Sequence, residues 1–534
     1  MLRKAQSVVV LILFPSLAEA PVLDADICIV GAGAAGIAMA VSLIGTKQQV
    51  CLLESGGLEP DQATQSLAEG ESVGLPWGTG LATARSRFFG GTTNQWPGGC
   101  VPLDAMDFQE RSWVPYSGWP ICRADLDPWY ACARALLRVS DVPPGWREPV
   151  SDVPPFAFDP ERLVHCKLAT SQALRLGKEH RSALARAENV RVLLRANLTS
   201  LETNPSADAV LEARIRSLDG RSGRVRARNF VLACGGIENA RLLLLSDSVV
   251  RQGLGNQHDL VGRFFMDHPT GKLGTVASRS PDRLSAPYNR QVVVPGVPRP
   301  GEICVSSSAQ RKERLLNARV RPQDYEVEDA IPDGVRAARQ LNAELRRGQW
   351  RGELPQLAWR MGADVGQIVS AAWRRLCGRP AVPNHRIDLE GFFEQAPNPD
   401  SRITLSPVRD AIGLRRVQLD WRLTDLDRRT YRAAAGIFSS ELTRLELGEL
   451  QLEPWLRCAP VGDPCVAGTA HHMGTTRMAD DPRRGVVDRN CRVHGMHNLY
   501  VAGSSVFPTG GWALPTFTIV ALALRLADHL QQNP

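Results

Sequence analysis

Two adjacent histidines, His471 and His472, stand in the turn Ala470-His-His-Met-Gly474-Thr475. An unperturbed imidazole titrates near pH 6.5, which suits it to accept a proton close to neutrality, and its protonated form stabilises a developing alkoxide. Downstream, the apolar run Leu499–Ala502 closes on Gly503-Ser504-Ser505. An apolar helix is then expected from about Thr516 to Leu530, with Pro515 in its first turn. A strand that ends in Gly-Ser and feeds a helix turns backbone N–H groups toward the helix start, where a diphosphate or another anion is favoured. The histidine turn is thus poised near an anion site.

The other end of the chain carries a second anion signal. Asp26–Val30 has strand character, Gly31-Ala-Gly33-Ala-Ala-Gly36 follows, and IAMAVSLIG has helical apolar spacing. The next apolar run, Val50–Leu53, ends at Glu54, about 20 residues on. The glycines permit a tight turn and close approach of a pyrophosphate, and Glu54 is placed to accept from a ribose. FAD and NAD both satisfy this fingerprint. Phe230–Gly236 repeats the strand-to-glycine-to-helix pattern, with Gly235 at the turn, so the ligand is cradled from both sides. In Arg85–Trp96, the pair Gly90-Gly91 leads into Thr92, Thr93, Asn94 and Gln95, a loop able to lie flat against a planar ligand. Val190–Leu198, with Ala196 near its end, alternates as a strand returning to the nucleotide sheet.

These elements require more than one core. At 534 residues and 43% hydrophobic content, two joined domains are expected. From Thr270 to Arg457 the pattern alternates strands, such as Gln291–Val294 and Arg416–Trp421, with arginine-rich helices. This reads as an antiparallel sheet with helices that roofs the cofactor. Trp113–Pro120 reads as a rigid aromatic loop. The net charge of +7 is spread along the chain, and the arginines between Arg336 and Arg379 read as a solvated helix face rather than a membrane or acidic-partner surface. No nucleic-acid module shows its signature. The twelve cysteines lack metal-ligand spacing, so no metal is expected and reduced thiols in the cytoplasm are the preferred reading. Cys458 and Cys465 are close enough in sequence to pair. Residues 1–20 resemble a signal peptide, yet Leu17–Leu23 also reads as a lead-in to the first strand. Cytoplasmic residence is therefore expected, with periplasmic or secreted export as the alternative. No apolar run is long enough to span a bilayer.

With these pieces placed, the chain resembles the glucose–methanol–choline (GMC) oxidoreductases, nearest the pyranose oxidases and the flavin subunits of bacterial sugar dehydrogenases. The likeness rests on Gly31–Gly36 with Glu54, on FGGTTNQW, ACGGIENARLL and PNPDSRITLS, and above all on HHMGTTRM through to PTFTIVALALRLADHL. It implies an α/β fold. A doubly wound, Rossmann-like FAD-binding domain would be assembled from residues 21–100, 188–269 and 458–534, with an excursion over 101–187. An α+β substrate domain over 270–457 would carry an antiparallel sheet. It implies FAD bound by Gly31, Gly33, Gly36, Glu54, Gly90, Gly91, Thr92, Asn94, Gln95, Trp96, Ala196, Gly235, Gly503, Ser504, Pro515 and Thr516. It further implies oxidation of an alcohol or sugar CH–OH, with the proton passing to His471 and a hydride to flavin N5. A dehydrogenase is favoured over an oxidase, with quinone, cytochrome and oxygen all open as acceptor. His472 is read as a structural neighbour, hydrogen-bonded in the turn.

Two residues depart from the family pattern. Gln95 stands where a histidine links the flavin in covalent members, so the flavin is expected to be non-covalent. Leu514 stands where the family has Asn or His as partner to the catalytic histidine. Either His471 works alone, or another group has moved in, or the chemistry is altered. An FAD-binding scaffold or a tailoring enzyme for a bulky substrate are the alternatives.

Overall fold

The computed structural model describes the chain except at residues 1–10, 18–20, 79, 140–155, 172, 286–287, 289–298, 327–330, 348–353, 377–380, 383–384, 458–464 and 534. The expected strand Gln291–Val294 and Cys458 lie outside the described residues.

Ile27-Cys28-Ile29-Val30 and Val50-Cys51-Leu52-Leu53 are unbroken apolar runs with almost no solvent exposure, the pattern of parallel strands covered on both faces. They pair in register within Val22–Val30 and Val50–Glu54. Val190–Leu194 continues the parallel sheet beyond Val50–Glu54, and Leu11–Leu13 adds an outer strand to it. On the other side lies Ser222–Leu232, whose last three residues pair with Leu499–Val501. Its first residues pair instead with an antiparallel hairpin, Asn197–Thr203 with Val210–Arg216. The helix Ala34–Ser42 packs on the final helix Pro515–Gln532, which packs in turn on Arg123–Leu136. This is the expected doubly wound sheet, drawn from chain segments at both ends and the middle.

The expected single strand Val190–Leu198 is two strands. Arg195 adopts φ 60°, and the backbone turns there between Val190–Leu194 and Asn197–Thr203. Ala196 sits in the corner, its N–H donating to the Glu54 carbonyl at 2.9 Å.

The second sheet is antiparallel, in the order Glu449–Leu452, Thr270–Ala277, His385–Phe393, Ala318–Glu326, Arg299–Val305, Leu163–Thr170, Gly99–Cys100. Leu163–Thr170 comes from the stretch expected as an excursion. Cys166 and Cys304, on its paired strands, are joined in a disulfide with their Cα atoms 6.4 Å apart. Reduced thiols are therefore not what the structure holds at this pair, because the strand pairing brings together cysteines 138 residues apart. Cys465 is free and exposed. The helix Asp425–Arg444 packs against this sheet and starts with a capping box of Thr424 and Asp427. In the aromatic loop, Trp119 is buried between Phe108 and Phe507, at ring distances of 5.0 and 5.1 Å. Among the described residues, no helix is long and apolar enough to cross a membrane.

Candidate functional site

The carboxyl ends of the parallel strands and the edge of the antiparallel sheet enclose a cavity of about 470 Å³. Ligand sites of open α/β folds lie at such strand ends. Gly31, Gly33, Glu54, Gly91, Thr92, Gln95, Trp96, Ala196, Gly235, Gly503, Ser504, Pro515 and Thr516 line it, together with His471 and Leu514. Three expected contact residues stand behind the wall. Gly36 packs the helix onto its own turn, since a Cβ there would lie 1.9 Å from the Gly31 carbonyl oxygen. Gly90 donates its N–H to the Ala32 carbonyl at 2.9 Å. Asn94 Nδ2 donates to the Phe89 carbonyl at 3.1 Å, bracing the loop from inside. The Glu54 carboxylate accepts from Ala32 N–H at 3.1 Å and Gly56 N–H at 2.8 Å, so it fixes the two loops at the mouth as well as facing the cavity. Gln95 donates to Ser86 Oγ at 2.6 Å.

Arg85 and Arg87, two cavity-lining arginines that sequence reasoning did not single out, border this dinucleotide end. Both pair with Glu238, at 3.0 and 3.3 Å, which Arg241 also contacts at 2.9 Å. Burial pushes the Glu238 carboxyl up, but Arg241, Arg87 and Arg85 outweigh it and hold the group down at about 2. With Asp410 paired to Arg241 at 2.6 Å, three arginines meet two carboxylates, and the cluster keeps one positive charge beside the cavity.

The histidine corner is built around Asp267, His268 and His471. Asp267 is fully buried and its carboxylate accepts five hydrogen bonds. Three come from the backbone N–H groups of His268, Ala470 and His471, at 2.7, 3.1 and 2.9 Å. Trp77 Nε1 and Thr469 Oγ1 supply the others, at 2.8 and 3.0 Å. Burial raises the Asp267 carboxyl against the pull of these donors. His268 Nε2 lies 3.0 Å from the Gly511 carbonyl and its Nδ1 lies 2.9 Å from His471 Nδ1. A carbonyl only accepts, so His268 Nε2 carries the proton and, in the neutral ring, Nδ1 carries the lone pair. His471 Nδ1–H must then be the donor, which leaves the lone pair of His471 on Nε2. Thr469 Oγ1, 3.0 Å from the same Nδ1, fits as a second acceptor because its own proton goes to Asp267.

Burial, then His268, Arg319 and His472, hold His471 well below the usual imidazole range. Burial followed by Arg319 pulls His268 down to about 4. All the rings are thus neutral near pH 7. His472 differs from the expectation. Its carbonyl accepts from Ser504 Oγ at 2.6 Å, but its ring is not hydrogen-bonded in the turn. Its Nε2 is buried without a partner, the ring packs on Trp77 at 5.1 Å, and burial followed by Arg85 lowers it to about 3. Leu514 does line the cavity, and its side chain would collide with any Cβ at Gly99, at 2.2 Å. It supplies no polar group to His471. Asp267 and His268 were missed as site residues; the Met-Asp-His-Pro run beside the glycine block held them, about 200 residues from the turn they support.

Along nearly its whole length the chain is similar to the 6'''-hydroxyparomomycin C oxidase of Streptomyces lividus, 26% identical over 95% of this chain and 92% of that protein. It is 27% identical to the fructose dehydrogenase large subunit of Gluconobacter japonicus over 58% of this chain and 48% of that one. A formate oxidase crystal structure superposes with a TM-score of 0.56 at 17% identity, over 97% of this chain and 99% of that chain, which is a likeness of fold. Residues 397–523, spanning the histidine turn and the first half of the final helix, match the GMC oxidoreductase family model. Residues 397–523 are thus a GMC oxidoreductase C-terminal domain, and the chain is an FAD flavoprotein acting on CH–OH donors.

The residues present fit this GMC cofactor. The helices Ala34–Ser42, Gly235–Leu245 and Pro515–Gln532 all begin at the cavity wall, and none has a side chain capping its first turn. Their free N–H groups, with the surplus positive charge at Arg85 and Arg87, suit a diphosphate at one end. The third helix start, beside His471, suits negative charge on the ring at the other.

Proposed function

We propose that this GMC oxidoreductase oxidises a CH–OH group of a sugar or polyol-like donor, with His471 as proton acceptor and His268 as the residue that positions it. FAD, held without a covalent bond where Gln95 replaces the linking histidine, supplies a hydride acceptor at N5. The observation that carries the reading is the one-way chain Gly511 carbonyl, His268, His471, which leaves an unprotonated Nε2 on the ring lining the cavity. The donor hydroxyl gives its proton to that nitrogen. The imidazolium that forms keeps its Nδ1–H on His268 and stays beside the new carbonyl oxygen, where its charge counts most. Asp267 holds the backbone of residues 470 and 471, so the ring pays little reorganisation at the moment of transfer. Leu514 gives the donor an apolar wall instead of a second catalytic partner.

Polyhydroxylated donors are supported by the names of the similar proteins, a hydroxyparomomycin oxidase and a fructose dehydrogenase. The test is to mix the yellow protein anaerobically with a panel of sugars, polyols and aminoglycosides and to watch the flavin band. Bleaching by at least one of them is expected, and reoxidation by quinone or by air then reads the acceptor. A fully loaded flavin that no member of the panel reduces contradicts the reading.

A further inference from the structure

Three helices, Asp333–Arg347, Leu354–Ala363 and Val365–Leu376, pack on one another away from the two main cores. The core beneath the first and third of them is small: Val335, Ala371 and the flanking Ile331, Ala381 and Val382, with Ile368 against it. On the third helix, the side turned from that core is apolar too. Val365, Val369, Trp373 and Leu376 follow at i, i+4, i+8 and i+11, which places them within about 80° of one face. They are 57%, 62%, 67% and 80% exposed. On the second helix Trp359 is 80% exposed, while Leu357 two residues earlier is buried. The sequence pattern had suggested a solvated face; instead, indoles and large aliphatic side chains stand in water. Leaving them there forgoes the stabilisation of burial, so a stripe of this kind marks a contact surface.

The charge of the sequence segment that carries the stripe identifies what it contacts. Residues 333–379 hold nine arginines and no lysine against four acids, a net of +5. Three of the acids are already engaged: Asp333 pairs with Arg360 at 2.7 Å, Asp364 accepts from Gly334 N–H at 2.7 Å, and Glu344 accepts from Gln340 Nε2 at 3.1 Å. A second copy of the chain is a poor partner, because a two-fold contact through this patch would set arginine against arginine. We propose that the Leu354–Leu376 helical pair docks the enzyme on an anionic lipid surface, lying in the interface rather than spanning it. An amphipathic helix with tryptophans on its apolar face and a basic surround has the chemistry for this. The indoles settle at headgroup depth and the arginines pair with lipid phosphates.

The test uses the full FAD-loaded chain with vesicles of phosphatidylcholine alone or mixed with phosphatidylglycerol. Co-sedimentation with the mixed vesicles, weakened by salt, is expected. Trp359→Ser with Trp373→Ser should weaken that partitioning by about tenfold or more, with flavin content and melting temperature unchanged. Brominated lipid should quench the fluorescence of the parent and not that part of it in the double variant. No partitioning on the mixed vesicles at low salt overturns the proposal, as does equal partitioning of the double variant. A dimer that the double variant loses, without vesicle binding in the parent, reassigns the patch to a second copy.

Discussion

The two ends of the cavity are built in opposite ways. At the dinucleotide end the groups that face the ligand are mostly backbone N–H groups on glycine turns and helix starts, brought close because side chains are missing. At the histidine corner every decisive group is a side chain, and each is held by another: His471 by His268, His268 by the Gly511 carbonyl, and the turn itself by Asp267. The first kind of site is damaged by adding atoms and the second by removing them. The contrast also separates the readouts, because damage at the glycines should appear in flavin content and damage at the histidines in rate.

Adding one methyl group at the first end should have the largest effect. Gly36→Ala sets a Cβ against the Gly31 carbonyl oxygen, with backbone on both sides and no rotamer to relieve it. A cost of about 3 kcal/mol or more is expected, read as loss of bound FAD and a lowered melting temperature. A variant that holds flavin normally would break the claim that this end is set by backbone approach.

Removing a ring at the second end should do less to stability and more to chemistry. His268→Ala frees the proton of His471 to occupy either nitrogen, and flavin reduction by the donor should slow by about 10–100-fold, the usual worth of a residue that orients a catalytic one. Flavin content should hold, and the pH dependence of reduction should shift because His471 loses a neighbour that depresses it. His268→Gln, whose side-chain carbonyl can accept from Nδ1–H, should recover part of the rate. Equal rates in all three proteins would leave His268 a packing residue only.

Leu514→Asn sharpens the comparison further, by placing a polar group where the corner has none. On small polyols it should raise the reduction rate. On a bulky apolar donor it should lower it, by about 1–3 kcal/mol for an amide left unpaired. Kinetics unchanged on both would show that this wall does not meet the donor.

A last effect is on stability against pH, which needs no donor to read. His268 and His472 titrate at about 4 and about 3 in the folded chain, against about 6.5 when unfolded. Between those values the unfolded chain binds protons that the folded one refuses, so the stability is fully present above about pH 6.5 and is lost as the pH falls. Melting temperature should drop progressively from pH 6.5 to 4, and less steeply in His472→Phe.

The same contrast explains what was legible beforehand. Gly31, Gly33 and Glu54 could be read because close backbone approach restricts the residue type and fixes the spacing within one strand-turn-helix unit. Gly36 belongs to that unit and Gly90 and Asn94 to the Arg85–Trp96 loop beside it, yet all three brace the wall from behind. The strand over Val190–Leu198 looked continuous because apolar alternation carries no sign of the turn at Arg195. His471 was legible through its turn, whereas Asp267 and His268 were not. Their role comes from antiparallel bridges of Met266 with Met473 and Thr270 with Ala467, a pairing that no local pattern announces. The disulfide of Cys166 with Cys304 was hidden for the same reason.

The central claim is that His471 takes the donor proton, and its most direct test is the anaerobic reduction rate of bound flavin in His471→Ala. With a donor that bleaches the parent, the rate should fall by on the order of 10²–10⁴, at unchanged FAD content. A fully loaded His471→Ala that reduces as fast as the parent would contradict it.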